Sequence, residues 1–169
     1  QSGILYVKAG TVIKPILQGG GQERGLRSGT ENVAACIGFA AAIEEAQKLR
    51  RGESDRLQLL QKKFLDQFQT EFADGIINGS KKYRIPNNIH VTLPGQDNER
   101  LLIQLDELGI MAAAGSACSA SQDEPSHVLK AIGVTDRDAQ SSIRISMGRT
   151  TDEDSIDELI KCLHQIIIS

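Results

Sequence analysis

Between Val33 and Ile43 the chain carries no polar side chain at all, reading Val-Ala-Ala-Cys-Ile-Gly-Phe-Ala-Ala-Ala-Ile. Its five alanines favour a helix. A helix apolar all round is one buried on more than one side. Thr30 is the expected N-cap of that helix, which should cover residues 31–51, turn polar from Glu44 to Arg51 and end at Gly52. A helix that begins in one core and finishes polar is a connector, so the chain is expected to divide there, into 1–50 and 51–169.

The same division shows in what flanks the helix. Upstream, Ile4-Leu5-Tyr6-Val7 reads as a buried strand, and a chain without an initial Met that opens inside such a strand is either part of something longer or one from which a tag was trimmed. Gly19 to Gly29 holds five glycines in eleven residues and cannot be a regular element. Downstream, the spacing of Leu57, Leu60, Phe64, Leu65, Phe68 and Phe72 predicts a second helix over 54–72. Strands are expected around Ile76–Gly79 and Asn88–Leu93, a helix over 99–108 stopped by Gly109, a short strand over 110–113 and a helix over 126–132 ending at Gly133. Ser142 to Met147 alternates as a half-buried strand. The final helix has Ile156, Leu159, Ile160, Leu163, Ile166 and Ile167 on one stripe, with Thr150 and Glu153 as its expected capping box. The part after Gly52 is α+β.

Composition removes several classes of function. A net charge of -3 over 169 residues, with no Trp and 4% aromatic residues, offers neither the basic footprint nor the stacking platform of a nucleic-acid binder. No apolar run is long enough to span a membrane. Cys36, Cys118 and Cys162 are odd in number and widely spaced, which argues against a disulfide framework and for a reducing, cytoplasmic setting.

Three features can carry chemistry. Cys118 sits in a run of Gly, Ser and Ala from Ala112 to Ser121 that has no bulky neighbour, so its thiol is expected to be exposed and reactive on a mobile loop; Cys36 and Cys162 are expected to be buried structural thiols. The glycine-rich segment ending at Thr30 offers backbone N–H groups, a hydroxyl and a helix start to a phosphate, or is only a turn. Arg144 interrupts an alternating strand, where it is either a solvated edge residue or a two-pronged grip on a carboxylate. His90, His127 and His164 are isolated from each other and from Cys118, and no Cys/His spacing predicts a metal site.

Four stretches taken together are distinctive: residues 19–32 (GGGQERGLRSGTEN), Gly115-Ser116-Ala117-Cys118-Ser119, Pro125-Ser126-His127-Val128-Leu129, and residues 142–149 (SIRISMGR). In this order they resemble the NifS/IscS-type cysteine desulfurases, class V members of the pyridoxal-phosphate-dependent aminotransferases. The resemblance implies an α/β fold, the C-terminal part of a type I pyridoxal-phosphate transferase with an α+β small domain. It implies a reaction taking L-cysteine to L-alanine, with the sulfur passed to an enzyme cysteine and on to an iron–sulfur scaffold or another acceptor protein. Cys118 matches the persulfide-forming nucleophile and Arg144 the arginine that holds the substrate carboxylate. Thr30 matches the threonine that reaches the cofactor phosphate of the other subunit in a homodimer.

The resemblance also has a gap. The lysine that carries pyridoxal phosphate, the aspartate that pairs with its ring nitrogen and the histidine that stacks on it all precede, in the family, a segment like Gly3–Val7. Lys8 and Lys14 do not match that lysine. Residues 1–50 are accordingly expected to be the end of the large cofactor domain with its connecting helix, residues 51–169 the small domain, and the chain by itself inactive. A different reading stays open, a short non-catalytic protein that keeps the small domain to bind a scaffold or carry sulfur.

Overall fold

A computed structural model describes residues 2–114 and 126–168. The chain forms two compact units, Gln1–Arg51 and Gly52–Ser169.

In the first unit the expected strand at Ile4–Val7 is absent. The segment is without regular structure, and Ile4, Leu5 and Tyr6 are exposed. A strand exists only through its ladder, and no described residue of this unit offers one. The glycine-rich segment has, as expected, no regular structure beyond a single 3-10 turn, Glu23–Gly25. Helix α1 spans Val33–Glu71. Asn32, not Thr30, caps it: its Oδ1 accepts the Ala35 N–H at 3.0 Å and its carbonyl accepts the Cys36 N–H at 3.0 Å, because a side-chain acceptor two residues nearer is in reach of the first turn. The apolar face of α1 is uncovered within this unit. Val33 is 63% exposed and Ile37 66%, and Cys36, expected to be buried, is exposed as well.

Gly52 does not end α1. Its φ is not in the left-handed range that a glycine stop requires, and an exposed interior glycine costs only about 1 kcal/mol in a helix whose neighbours are good helix formers.

The second unit is organised around its sheet, a three-stranded antiparallel arrangement in the order β1 (Ile76–Ile77), β2 (Asn88–Thr92), β3 (Ser142–Ser146). Ile89, Val91, Ile143 and Ile145 face the core. They pack with Leu57, Leu60, Phe64, Phe68 and Phe72 of the α1 end, Leu101 and Leu105 of α2 (Asn98–Glu107), and Ile156, Leu159, Ile160 and Leu163 of α5 (Glu153–Ile168). The three phenylalanines run as a column, with ring centroids 5.6 and 5.3 Å apart. Cys162 is buried, as the sequence indicated.

Gly109 stops α2 in a left-handed conformation at φ 81°. The strand expected at 110–113 shrinks to one bridge, Ala113 opposite Arg144. Between residue 126 and β3 lie two short helices, α3 (His127–Ala131) and α4 (Asp136–Ala139). The second has no apolar period and escapes sequence reading. The capping box of α5 is Asp152 with Ser155, not Thr150 with Glu153. Asp152 Oδ1 accepts the Ser155 N–H at 2.9 Å and Ser155 Oγ accepts the Asp152 N–H at 3.4 Å. Glu153 is drawn instead into an ion pair with Lys63 at 3.2 Å.

Two outcomes follow from this packing. Phe68→Ala should destabilise the second unit by about 3–5 kcal/mol in urea unfolding. Gly75→Ala should also lower the midpoint, because an added Cβ would meet the Phe68 ring at 2.6 Å; an unchanged midpoint for either contradicts the packing. The uncovered α1 face should drive concentration-dependent self-association, seen by sedimentation and reduced by Ile37→Glu. A monomer at every concentration contradicts it.

Candidate functional site

The register of β2 and β3 builds the site. Asn88, His90 and Thr92 stand opposite Ser146, Arg144 and Ser142. Residues directly opposite in an antiparallel pair share a face, so with the isoleucines and valine turned to the core, one polar face carries His90 and Arg144 side by side. In the sequence His90 stands isolated from the other candidate residues. Its signal was the period of two in Asn88-Ile89-His90-Val91-Thr92, which puts its polar residues on one side just as Ser142-Ile143-Arg144-Ile145-Ser146 does; what sequence lacks is the register joining them.

Beneath the two residues runs a buried relay. Ser142 Oγ donates to the Asp138 carbonyl at 2.6 Å, Thr92 and Ser142 hydroxyls lie 2.7 Å apart, and Asn78 Nδ2 donates to Thr92 Oγ1 at 2.8 Å and reaches His90 Nδ1 at 3.0 Å. A carbonyl only accepts, so Ser142 uses its one proton there and must accept from Thr92, which in turn must accept from the Asn78 amide. The remaining amide hydrogen of Asn78 points to His90 Nδ1. That nitrogen is therefore an acceptor, and the ring is neutral with its proton on Nε2.

Electrostatics agree. Burial, then the Arg144 charge and the Arg84 charge, lower the His90 pKa to about 4. Arg84 is fixed by its Nε bond to the Ser80 carbonyl at 2.9 Å and by its Nη2 bond to the Asn78 carbonyl. Burial lowers its own pKa from the ordinary value. Arg84 Nη1 and Arg144 Nε are both buried without a hydrogen-bond partner among the described residues, and neither guanidinium has a carboxylate in ion-pair range there. Two half-buried cations with unused donors make a site that an anion satisfies. Two concave regions among the described residues lie elsewhere. One is a cleft of about 280 Å³ that Gln67, Glu71, Asp157 and His164 help to line, the other a groove of about 510 Å³ along α2 from Leu102 to Ala112. Arg144 lines neither, so we place the site on the sheet face by its chemistry rather than by concavity.

Of the other expected residues, Thr30 lies in the first unit, exposed, after Gly29 at φ 118°. The loop before it is held by the Gly29 N–H on Gln22 Oε1 at 3.0 Å and the Gly21 N–H on Ser28 Oγ at 3.3 Å. Glu23 and Arg24 there both adopt positive φ, at 49° and 60°. Cys118, with its expected exposure and mobility, lies outside the described residues. The Cys162 thiol is pushed up by burial first and then by Glu158, the opposite of what a reactive thiol needs. No helix among the described residues is long and apolar enough to cross a membrane.

Known proteins place this geometry in a family. The chain matches the class-V aminotransferases over residues 3–159 and belongs to that family. It is 38% identical to cysteine desulfurase IscS 1 of Archaeoglobus fulgidus, over 98% of this chain and 43% of that protein, and 40% identical to cysteine desulfurase IscS of Dictyoglomus turgidum, over 98% and 42%. The X-ray structure of a NifS-like protein from Rickettsia africae superposes with a TM-score of 0.80 at 31% identity, covering 94% of this chain and 41% of that one. The fold is the mixed α/β fold of the type I pyridoxal-phosphate-dependent transferases. The chain spans about two fifths of the length of the relatives it matches.

A neutral buried histidine is a stability statement with a definite sign. The His90 pKa falls below its ordinary 6.5 on folding, so its contribution is complete above about pH 6.5 and is lost as the pH drops toward 4. Allowing for its partial exposure, the loss is about 2 kcal/mol. Asp152 and Asp157, whose carboxyls are lowered by their hydrogen bonds to Ser155 and to Lys63, lose stability in the same direction. The measurement is therefore a difference. His90→Gln should flatten the fall in urea midpoint between pH 6.5 and 4.5 relative to the parent. Equal slopes contradict a neutral His90.

Proposed function

We propose that the protein carrying this chain is a cysteine desulfurase that converts L-cysteine to L-alanine and passes the sulfur through Cys118. The observation that carries the reading is Arg144: a half-buried guanidinium with an unused donor and no acidic partner among the described residues, standing in a chain akin to cysteine desulfurases along its whole length. Arg144 takes the substrate carboxylate through two parallel N–H···O bonds. Cys118, in the Gly115-Ser116-Ala117-Cys118-Ser119 motif, acts as thiolate on the substrate sulfur. The new bond is S–S, the bond that breaks is Cβ–S, and a proton completes the methyl group of alanine, so that thiol plus cysteine gives persulfide plus alanine.

The cofactor of the family is pyridoxal phosphate, which when bound supplies the sink for the electron pair released at the substrate's Cα. The residues present fit one end of it: the exposed Thr30 hydroxyl, beside a loop rich in backbone N–H groups, suits a phosphate. Thr30 would serve the cofactor of the second subunit in a homodimer. Residues 1–50 would then finish the large cofactor domain and 51–169 form the small domain. The final acceptor would be an iron–sulfur scaffold or another sulfur-accepting protein in the cytoplasm, a setting supported by the odd, widely spaced cysteines.

With L-cysteine and a reductant, the protein should release alanine and sulfide. Cys118→Ser should abolish sulfide release, and Arg144→Ala should raise KM for L-cysteine by roughly 10- to 100-fold. Undiminished turnover in Cys118→Ser overturns the assignment. Persulfide accepted from another donor at Cys118, with no alanine formed, would make the protein a sulfur carrier instead.

A further inference from the structure

We propose that His90 is a second carboxylate-holding residue beside Arg144, a neutral imidazole whose Nε2–H is set as a donor by the Asp138–Ser142–Thr92–Asn78 relay and bonds the same substrate carboxylate as the guanidinium. The inference rests on the reading of Arg144 as the carboxylate ligand and adds a group to it.

Three observations support it. The register puts His90 directly opposite Arg144 on the polar face, at a separation where opposite side chains touch a common ligand. The relay allows the ring only one neutral form, because the acceptor carbonyl of Asp138 fixes the direction of every bond up to Nδ1. A carboxylate accepts about four hydrogen bonds, of which a two-pronged guanidinium supplies two, so a third donor has a place to act. The charges around the ring favour the neutral donor over a charged one. Arg144 from β3 and Arg84 from the loop after β1 are both cationic, while Asn78, which bonds Nδ1, is uncharged. Protonation would set a third positive charge among them and turn Nδ1–H against the Asn78 amide. The burial of Thr92 and Ser142, at 0% and 1% exposure, shows that the relay is screened from water, which would otherwise scramble its direction.

The test uses the cofactor-loaded protein that carries this chain. His90→Leu should raise KM for L-cysteine roughly 5- to 20-fold with kcat within about twofold. His90→Gln should restore KM to within about threefold, since its amide offers an acceptor to Asn78 and an N–H to the ligand. In the unsubstituted protein, ¹⁵N spectra of the histidine rings should show His90 protonated at Nε2 alone at neutral pH. That signal should move on adding L-alanine, which carries the carboxylate without the thiol. An unchanged KM in His90→Leu together with a raised KM in Arg144→Ala overturns the role of His90 and leaves Arg144 in place. An unchanged KM in Arg144→Ala overturns the underlying reading itself. Should His90→Leu not fold, the ring spectra and the glutamine variant decide, and an Nε2 signal indifferent to L-alanine overturns the proposal.

Discussion

The second unit depends on one pairing, β2 against β3 in the register that sets His90 opposite Arg144. Because side chains alternate along a strand, this register sends Ile89, Val91, Ile143 and Ile145 into the core with the phenylalanine column of α1 and everything polar to the other face. A slip of one residue would exchange the faces, burying a guanidinium under Phe64 and Phe68. The hydrophobic effect thus holds the chemistry in place: the area buried on one side fixes which groups meet on the other. The relay from Asp138 through Ser142 and Thr92 to Asn78 pins the same register from the polar side, since each hydroxyl has one proton and one place to use it.

Much of this was legible in the sequence, for physical reasons that differ by element. The helices α2 and α5 and the end of α1 declare themselves because each packs one stripe against one core, so the period of their leucines, isoleucines and phenylalanines is the period of burial. The alternation from Ser142 to Met147 gave Arg144 a face of its own. The register was not legible, since pairing is a relation between segments fifty residues apart and neither strand alone encodes it. That is why His90 passed as an isolated histidine. The helix ends were misread where two acceptors compete: Asn32 lies nearer the first turn than Thr30, and Asp152 with Ser155 forms the reciprocal cap while Glu153 goes to Lys63. Gly52 was read as a stop from its type alone, although a glycine stops a helix only by turning left-handed.

The first unit shows the opposite relation between sequence and structure. Its composition specifies burial that the described residues do not supply. Ile4 to Val7 has no ladder, and Val33 and Ile37 are exposed on a helix written for an interior. A chain matching two fifths of its relatives' length carries apolar faces that no described residue of this unit covers. Thr30, on the loop of this unit, and Arg144, on the sheet of the other, are the residues we propose for the two charged ends of the family's chemistry, phosphate and carboxylate respectively.

We propose the polar face of the β2–β3 pair as a carboxylate site. The most direct measurement is a crystal structure of the cofactor-loaded protein carrying this chain with L-alanine bound. The amino-acid carboxylate should lie within about 3 Å of the Arg144 guanidinium and of His90 Nε2, with the Asn78–Thr92–Ser142 relay intact beneath it. A carboxylate held by other residues, with Arg144 bonded only to groups of the protein, would contradict it.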